Sequence, residues 1–137
     1  MSTDVAGAAA VSVSPRNRML LAGRVLSGIA AVGLAASALA KITGQEVVVN
    51  NMVNQFGYPA SAVMIVGVLE LALTVVYAVP RTSFLGALLL TGYLGGAVAT
   101  HYRVGDSLLT PFIPAVFMWA GLFLRDARLR ELLPLRK

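Results

Sequence analysis

Glu70 stands in the middle of the apolar run 60–79, with Gly67 before it and Thr74 and Tyr77 after it at spacings of three, four and three residues. On a helix with ~3.6 residues per turn, these four side chains share one face. The stripe combines a carboxylate, a hydroxyl, a phenol and a gap for close approach. A carboxylate surrounded by that much apolar sequence must find a cation, a proton or a ligand. In the next apolar run, Tyr93, Ala97 and His101 recur at i, i+4 and i+8, with Gly92 and Gly96 beside them as a G-x-x-x-G pair. Such groups can exchange hydrogen bonds and protons with the polar head of a lipophilic molecule.

The tight connection Pro80-Arg81-Thr82-Ser83 fixes how these two stripes meet. At ~1.5 Å per residue, Glu70 lies ~15 Å from the hairpin and Tyr93 ~18 Å from it, close enough in depth to hydrogen-bond. His101 lies ~12 Å further along, at the opposite mouth, level with Lys41, Arg103, Asp106 and Glu46. The sequence therefore predicts a cavity between helices, with Glu70 at its floor and His101, Lys41 and Arg103 around its rim. A structural reading stands beside it. In that reading Glu70 bonds Tyr93 or a carbonyl to fix helix register, His101 sits at headgroup level, and Lys41 and Arg103 anchor the topology. Trp119 and Phe117 are read as packing or lipid-facing residues.

Composition says where these helices belong. The 137-residue chain is 58% hydrophobic and 12% charged, with a mean hydropathy of +0.80. Soluble domains carry about 25% charged residues, so this stock cannot cover a water-exposed surface. Four spans are expected at about 19–39, 60–79, 84–100 and 109–124, forming an all-α, four-helix transmembrane bundle. Thr110 is read as the N-cap of the fourth, with Pro111 at its first helical position. Residues 1–18 read as a flexible cytoplasmic tail, and 125–137 as a basic amphipathic cytoplasmic tail. Between the first two spans, 47–56 reads as a short interfacial helix, closed by the turn Gly57-Tyr58-Pro59.

Net charge is +5, yet the basic residues flank apolar runs and form no face interleaved with aromatics, which argues against nucleic acid. With both termini cytoplasmic, nine of the eleven Lys and Arg residues lie inside, and only Lys41 and Arg103 lie outside. Arg16, Arg18 and Ala38-Leu39-Ala40 also fit a cleaved secretory signal, but the apolar stretch exceeds the ~7–15 residues of such a core. The first span is therefore read as retained. The chain has no cysteine and one histidine, so no metal site is expected, and thiol chemistry and iron–sulfur ligation by this chain are excluded.

The run from Gly67-Val68-Leu69-Glu70-Leu71 through Tyr77-Ala78-Val79-Pro80-Arg81-Thr82 and on to Gly86–His101 resembles the DoxX-like bacterial membrane proteins. Ser37-Ala38-Leu39-Ala40-Lys41 and the stretch from Leu122-Phe123-Leu124-Arg125-Asp126 are similar to the family as well. The resemblance implies a four-helix bundle in a bacterial plasma membrane, and marks Glu70, Pro80-Arg81-Thr82 and Thr100-His101 as site or structural positions. Its wider group includes a subunit of a thiosulfate:quinone oxidoreductase, partners of redox enzymes, and proteins that assist receptor assembly or cargo export. Two function classes follow. One is an accessory or ligand-binding component of a membrane redox system, holding a quinone or other lipophilic molecule beside a partner subunit that supplies electrons. The other is a non-catalytic assembly or scaffold protein, with a small homo-oligomeric transporter as a further alternative. The candidate ligand-binding residues are Glu70, Tyr93, Thr74, Tyr77, His101 and Lys41; the structural ones are Pro80, Arg81, Gly92 and Gly96.

Overall fold

A computed structural model describes residues 12–133, and all regular structure among them is helical. Helix α1 spans Pro15–Ile42, α2 spans Glu46–Asn50, α3 spans Ala60–Ala78, α4 spans Ser83–Arg103, α5 spans Leu109–Arg125 and α6 spans Ala127–Leu132. A five-residue π-helical segment, Asn51–Gln55, continues α2. Helices α1, α3 and α4 are each long and apolar enough to cross a membrane; α5, with 17 residues, is a shorter apolar helix.

The helices begin and end for local reasons. Ser14 accepts a hydrogen bond from the Asn17 amide, and Pro15 occupies the first helical turn, where its missing N–H costs nothing. The helix therefore starts before Met19, and 15–18, read from sequence as tail, belong to α1; residues 1–11 and 134–137 lie outside the described residues. Between α3 and α4, the Thr82 hydroxyl bonds the carbonyls of Val76 and Val79, and Ser83 also donates to Val79, which closes the hairpin around Pro80 and Arg81. Helix α5 starts at Leu109 rather than after Thr110, because the Ser107 hydroxyl caps the Leu109 amide and Phe112 already bonds the Leu108 carbonyl. Pro111 thus falls within its first turn, and Pro114 sits inside the helix.

Helix α1 packs against α3 and α5, and α4 packs against the same two, so the four long helices enclose one core. That core is built from Ala30, Leu34, Tyr77, Ala87, Leu90, Leu94, Met118 and Leu122. The outer surface inverts the pattern of a water-soluble protein: Val32 is 71% exposed and Ile65 67%, with Leu21, Met64, Leu85 and Val116 also turned outward. Such a surface is stable against acyl chains and not against water.

In lipid, helices associate through close packing rather than through hydrophobic burial. Three contacts do this here. At the α1–α5 seam, a Cβ on Gly121 would lie 2.6 Å from the Ser27 amide nitrogen, and one on Gly23 would meet the Gly121 carbonyl oxygen at 2.8 Å. At the α3–α4 seam, Gly86 lies against the backbone of Tyr77. Both contacts lie toward the hairpin end. The third, at the α1–α3 seam, lies nearer the opposite end, where a Cβ on Gly67 would sit 2.9 Å from the Ala38 carbonyl oxygen.

Tyr77 joins the hairpin-end contacts. Its hydroxyl lies 2.9 Å from Ser27 Oγ and 3.0 Å from the Met118 carbonyl oxygen, so one phenol ties α3 to α1 and α5. The Arg125 guanidinium, 5.5 Å from the centre of the Tyr77 ring, donates to Ser83 Oγ. Gly121→Leu should lower stability in micelles by about 3 kcal/mol, because backbone rather than a movable side chain blocks the new group. Gly95→Leu, at a position with nothing within 4 Å of an added Cβ, should change it little. Reversible denaturant unfolding of the two variants checks the difference.

Candidate functional site

The acid that opens the sequence pattern is 2% exposed. Its Oε2 lies 2.6 Å from Lys41 Nζ. The same ammonium donates to Ser37 Oγ at 2.6 Å, and the Ser37 hydroxyl donates in turn to Glu70 Oε2 at 3.4 Å. Ser37 and Lys41 are one helical turn apart on α1, so both face α3 together. The close approach of Gly67 to Ala38 and Lys41 brings the two helices near enough for the pair to close. The cation is thus not a rim anchor, as the sequence had suggested: its stem runs inward and its charged end meets the carboxylate. Glu70 draws its hydrogen bonds from Lys41 and Ser37, while the Tyr93 phenol stands next to it.

A cavity of about 860 Å³ lies over this pair, in the half of the molecule away from the hairpin. Glu70, Lys41, Ser37 and Tyr93 line it. Leu34, Val66, Leu94, Ala97 and Phe117 supply apolar wall, and His101 and Asp106 lie toward the mouth. Its volume is in the range of small-molecule sites, and so is its make-up of apolar walls with a few converging polar groups. Gly92 and Gly96 also line it, and an added Cβ on either would meet nothing within 4 Å. Among the described residues, this G-x-x-x-G pair therefore makes no close helix contact; it leaves wall space empty.

Thr74 and Tyr77 share the buried face with Glu70 but do not line the cavity. The Thr74 hydroxyl bonds the Glu70 carbonyl one turn back, and Tyr77 works at the hairpin end. The face predicted from spacing is real, yet it is divided lengthwise into a cavity half and a packing half. Phe117 and Trp119 both pack against the core, as read from sequence; Phe117 also lines the cavity, and Trp119 donates to Thr91 Oγ1 at 2.9 Å and packs edge-on to Phe84.

The mouth is covered by α2 and the π-helical segment, from which Val48, Asn51, Met52 and Gln55 line the cavity, joined by Phe56 just after it. Phe56 packs on the His101 ring at 4.7 Å between centroids, and Arg103 donates to the Phe56 carbonyl. His101 Nδ1 lies 3.0 Å from Asp106 Oδ2. Tyr58 bonds Thr100 at 2.8 Å, and Thr100 bonds the Gly96 carbonyl. Arg103 and Tyr58 thus fasten the cover to the end of α4. Sequence reasoning missed Ser37, although it lies one turn before Lys41, and it missed Pro114. Having no N–H, Pro114 leaves the Thr110 carbonyl without its helical donor, and both residues line the cavity.

Residues 25–123, which include all four long helices in whole or in part and every residue of the cavity, match the family described as DoxX-like. The chain belongs to the DoxX-like family. Neither a curated protein nor a solved structure matches it. Family membership and the long apolar helices together make this DoxX-like chain a membrane-integral protein.

Removing one partner of a buried ion pair leaves the other uncompensated, at a cost of about 3–5 kcal/mol. Lys41→Met and Glu70→Gln should each approach that loss, and the Lys41→Met/Glu70→Leu double variant should lose less than the sum of Lys41→Met and Glu70→Leu, by about 1–3 kcal/mol. A double-mutant cycle of unfolding free energies in micelles measures the coupling.

Proposed function

We propose that this DoxX-like protein is a four-span bundle of a bacterial plasma membrane that binds a quinone or a similar lipophilic molecule, as an accessory component of a membrane redox system. One observation carries the reading: a charged Lys–Ser–Glu cluster at the floor of a cavity whose walls are otherwise mostly apolar. An ion pair costs much to place there, and replacing it with apolar groups is often neutral or stabilising. Its presence beside empty volume fits a role toward a ligand.

The donor set suits a quinone head. Lys41 and Tyr93 can donate to a ring carbonyl, and Glu70 can hold the ammonium in place or exchange a proton with a reduced ring hydroxyl. The apolar walls suit the ring faces. Electrons for any reduction would come from a partner subunit, which is why the role is accessory. Phe56, Met52 and Gln55 would close over the bound head.

In this reading the hairpin and both termini face the cytoplasm, and the α2 cover faces the other side, as the distribution of basic residues favours. The chain has no cysteine, so single cysteines report sidedness on a clean background. Cysteine at Arg81 should be labelled by an impermeant maleimide only in inverted vesicles, and cysteine at Gly105 only in right-side-out cells. The reverse result would invert the topology.

Binding is tested with purified protein in nanodiscs, by titrating menaquinone and following Tyr and Trp fluorescence. Glu70→Gln and Lys41→Met should each weaken binding by about tenfold or more, the loss of one charge-assisted hydrogen bond. If wild type binds no quinone, and crosslinking instead recovers a membrane partner through the same helices, the scaffold reading takes its place.

A further inference from the structure

The close contacts between helices are unevenly distributed, and that leaves two seams open. Helices α3 and α4 touch backbone to backbone at Gly86 and Tyr77, near the hairpin, and α1 and α5 touch at Gly23 and Gly121, at the same end. Among the described residues, glycine contacts pin only the α1–α3 seam beside the cavity, with Gly67 against Ala38. Beside the cavity, residues of two of the other three seams, α3–α4 and α1–α5, both line its wall and are exposed. On the α3–α4 side these are Leu69, 49% exposed, with Gly92 and Gly96, both exposed. On the α1–α5 side they are Ile29, Ile113 and Gly33. A wall residue that also faces outward marks a lateral opening, and in a membrane that opening faces acyl chains rather than water.

The two openings differ. Large β-branched side chains stand on both helices at the α1–α5 seam. At the α3–α4 seam the α4 side offers two cavity-lining glycines one turn apart, with nothing among the described residues within 4 Å of an added Cβ. Tyr93, the neighbour of Gly92 in sequence, stands next to Glu70 at the floor. The path from the outer surface over Gly92 and Gly96 therefore leads to the polar cluster.

We infer that the α3–α4 seam at Gly92 and Gly96 is the portal through which an amphiphile with a long apolar tail reaches the site, its head at Lys41–Glu70 and its tail left in the bilayer. This rests on the reading that a lipophilic ligand docks at the ion pair, and it adds the ligand class: the molecule is long-tailed, and the tail is part of what is recognised. Gly92 and Gly96 are then specificity-determining residues, kept small so that the tail can lie across α4.

Two quinones test it, menaquinone with a long isoprenoid tail and menadione, the same ring without one. Each is titrated into nanodisc-embedded wild type, Gly92→Leu/Gly96→Leu and Ile113→Trp. The glycine variant should lose about tenfold or more in affinity for menaquinone relative to menadione, and Ile113→Trp, which also alters the cavity wall, should affect the two quinones alike. Leucine at open, lipid-facing positions should not disturb the fold; if the double variant fails to assemble, Gly96→Leu alone carries the same comparison. Equal effects of the glycine variant on both quinones, or no effect, overturn the portal while leaving the docking site intact. Discrimination by Ile113→Trp instead moves the portal to the α1–α5 seam and overturns the assignment. Wild type that binds neither quinone overturns the docking reading and the portal with it.

Discussion

The arrangement of this molecule turns on one ion pair held where water is scarce. Carrying a carboxylate and an ammonium out of water costs several kcal/mol per ion, and only close, well-directed contacts offset it. Lys41 and Glu70 meet that requirement with a 2.6 Å contact, and Ser37 bridges to both. The contact needs α1 and α3 almost touching, which Gly67 permits, and it needs Lys41 to reach inward from the end of its helix. The polar cluster then belongs to the cavity floor rather than to a rim.

The remaining helix contacts fall at the other end. Tyr77 links three helices there, and small residues bring backbones together at Gly23, Gly86 and Gly121. Helices clamped by backbone contacts at one end and by an ion pair on one seam at the other have room left over beside that pair. Volume and charge thus share a cause, the uneven distribution of tight packing along the helices.

Much of this could be read from the residues. The four apolar runs, the hairpin at Pro80-Arg81 and the common face of Gly67, Glu70, Thr74 and Tyr77 follow from periodicity and turn chemistry alone. The helical segment before Gly57 was also visible, although its π-helical half was not, since a wider turn leaves no mark in composition. Periodicity assigns a face but not a depth along it, so it could not separate Glu70, beside the cavity, from Tyr77, in the packed end. Lys41 was placed by its backbone position, and a side chain of that length can reach either way from there. The glycine pair of α4 reads from sequence only as structural, because small residues serve close packing and empty space equally well; only the neighbouring helices decide between the two.

The wider turn at Asn51–Gln55 absorbs one residue more than an ordinary α-helix would hold over the same rotation. It holds more residues per turn than an α-helix, and it ends with the Tyr58 amide bonded to the Met52 carbonyl. Phe56 on the His101 ring, and its carbonyl under Arg103, depend on that spacing. Wound as an ordinary α-helix with every residue kept, the segment would turn further over its length and carry Phe56 away from the histidine. Related chains one residue shorter here should therefore wind the segment as an ordinary α-helix and keep the aromatic contact.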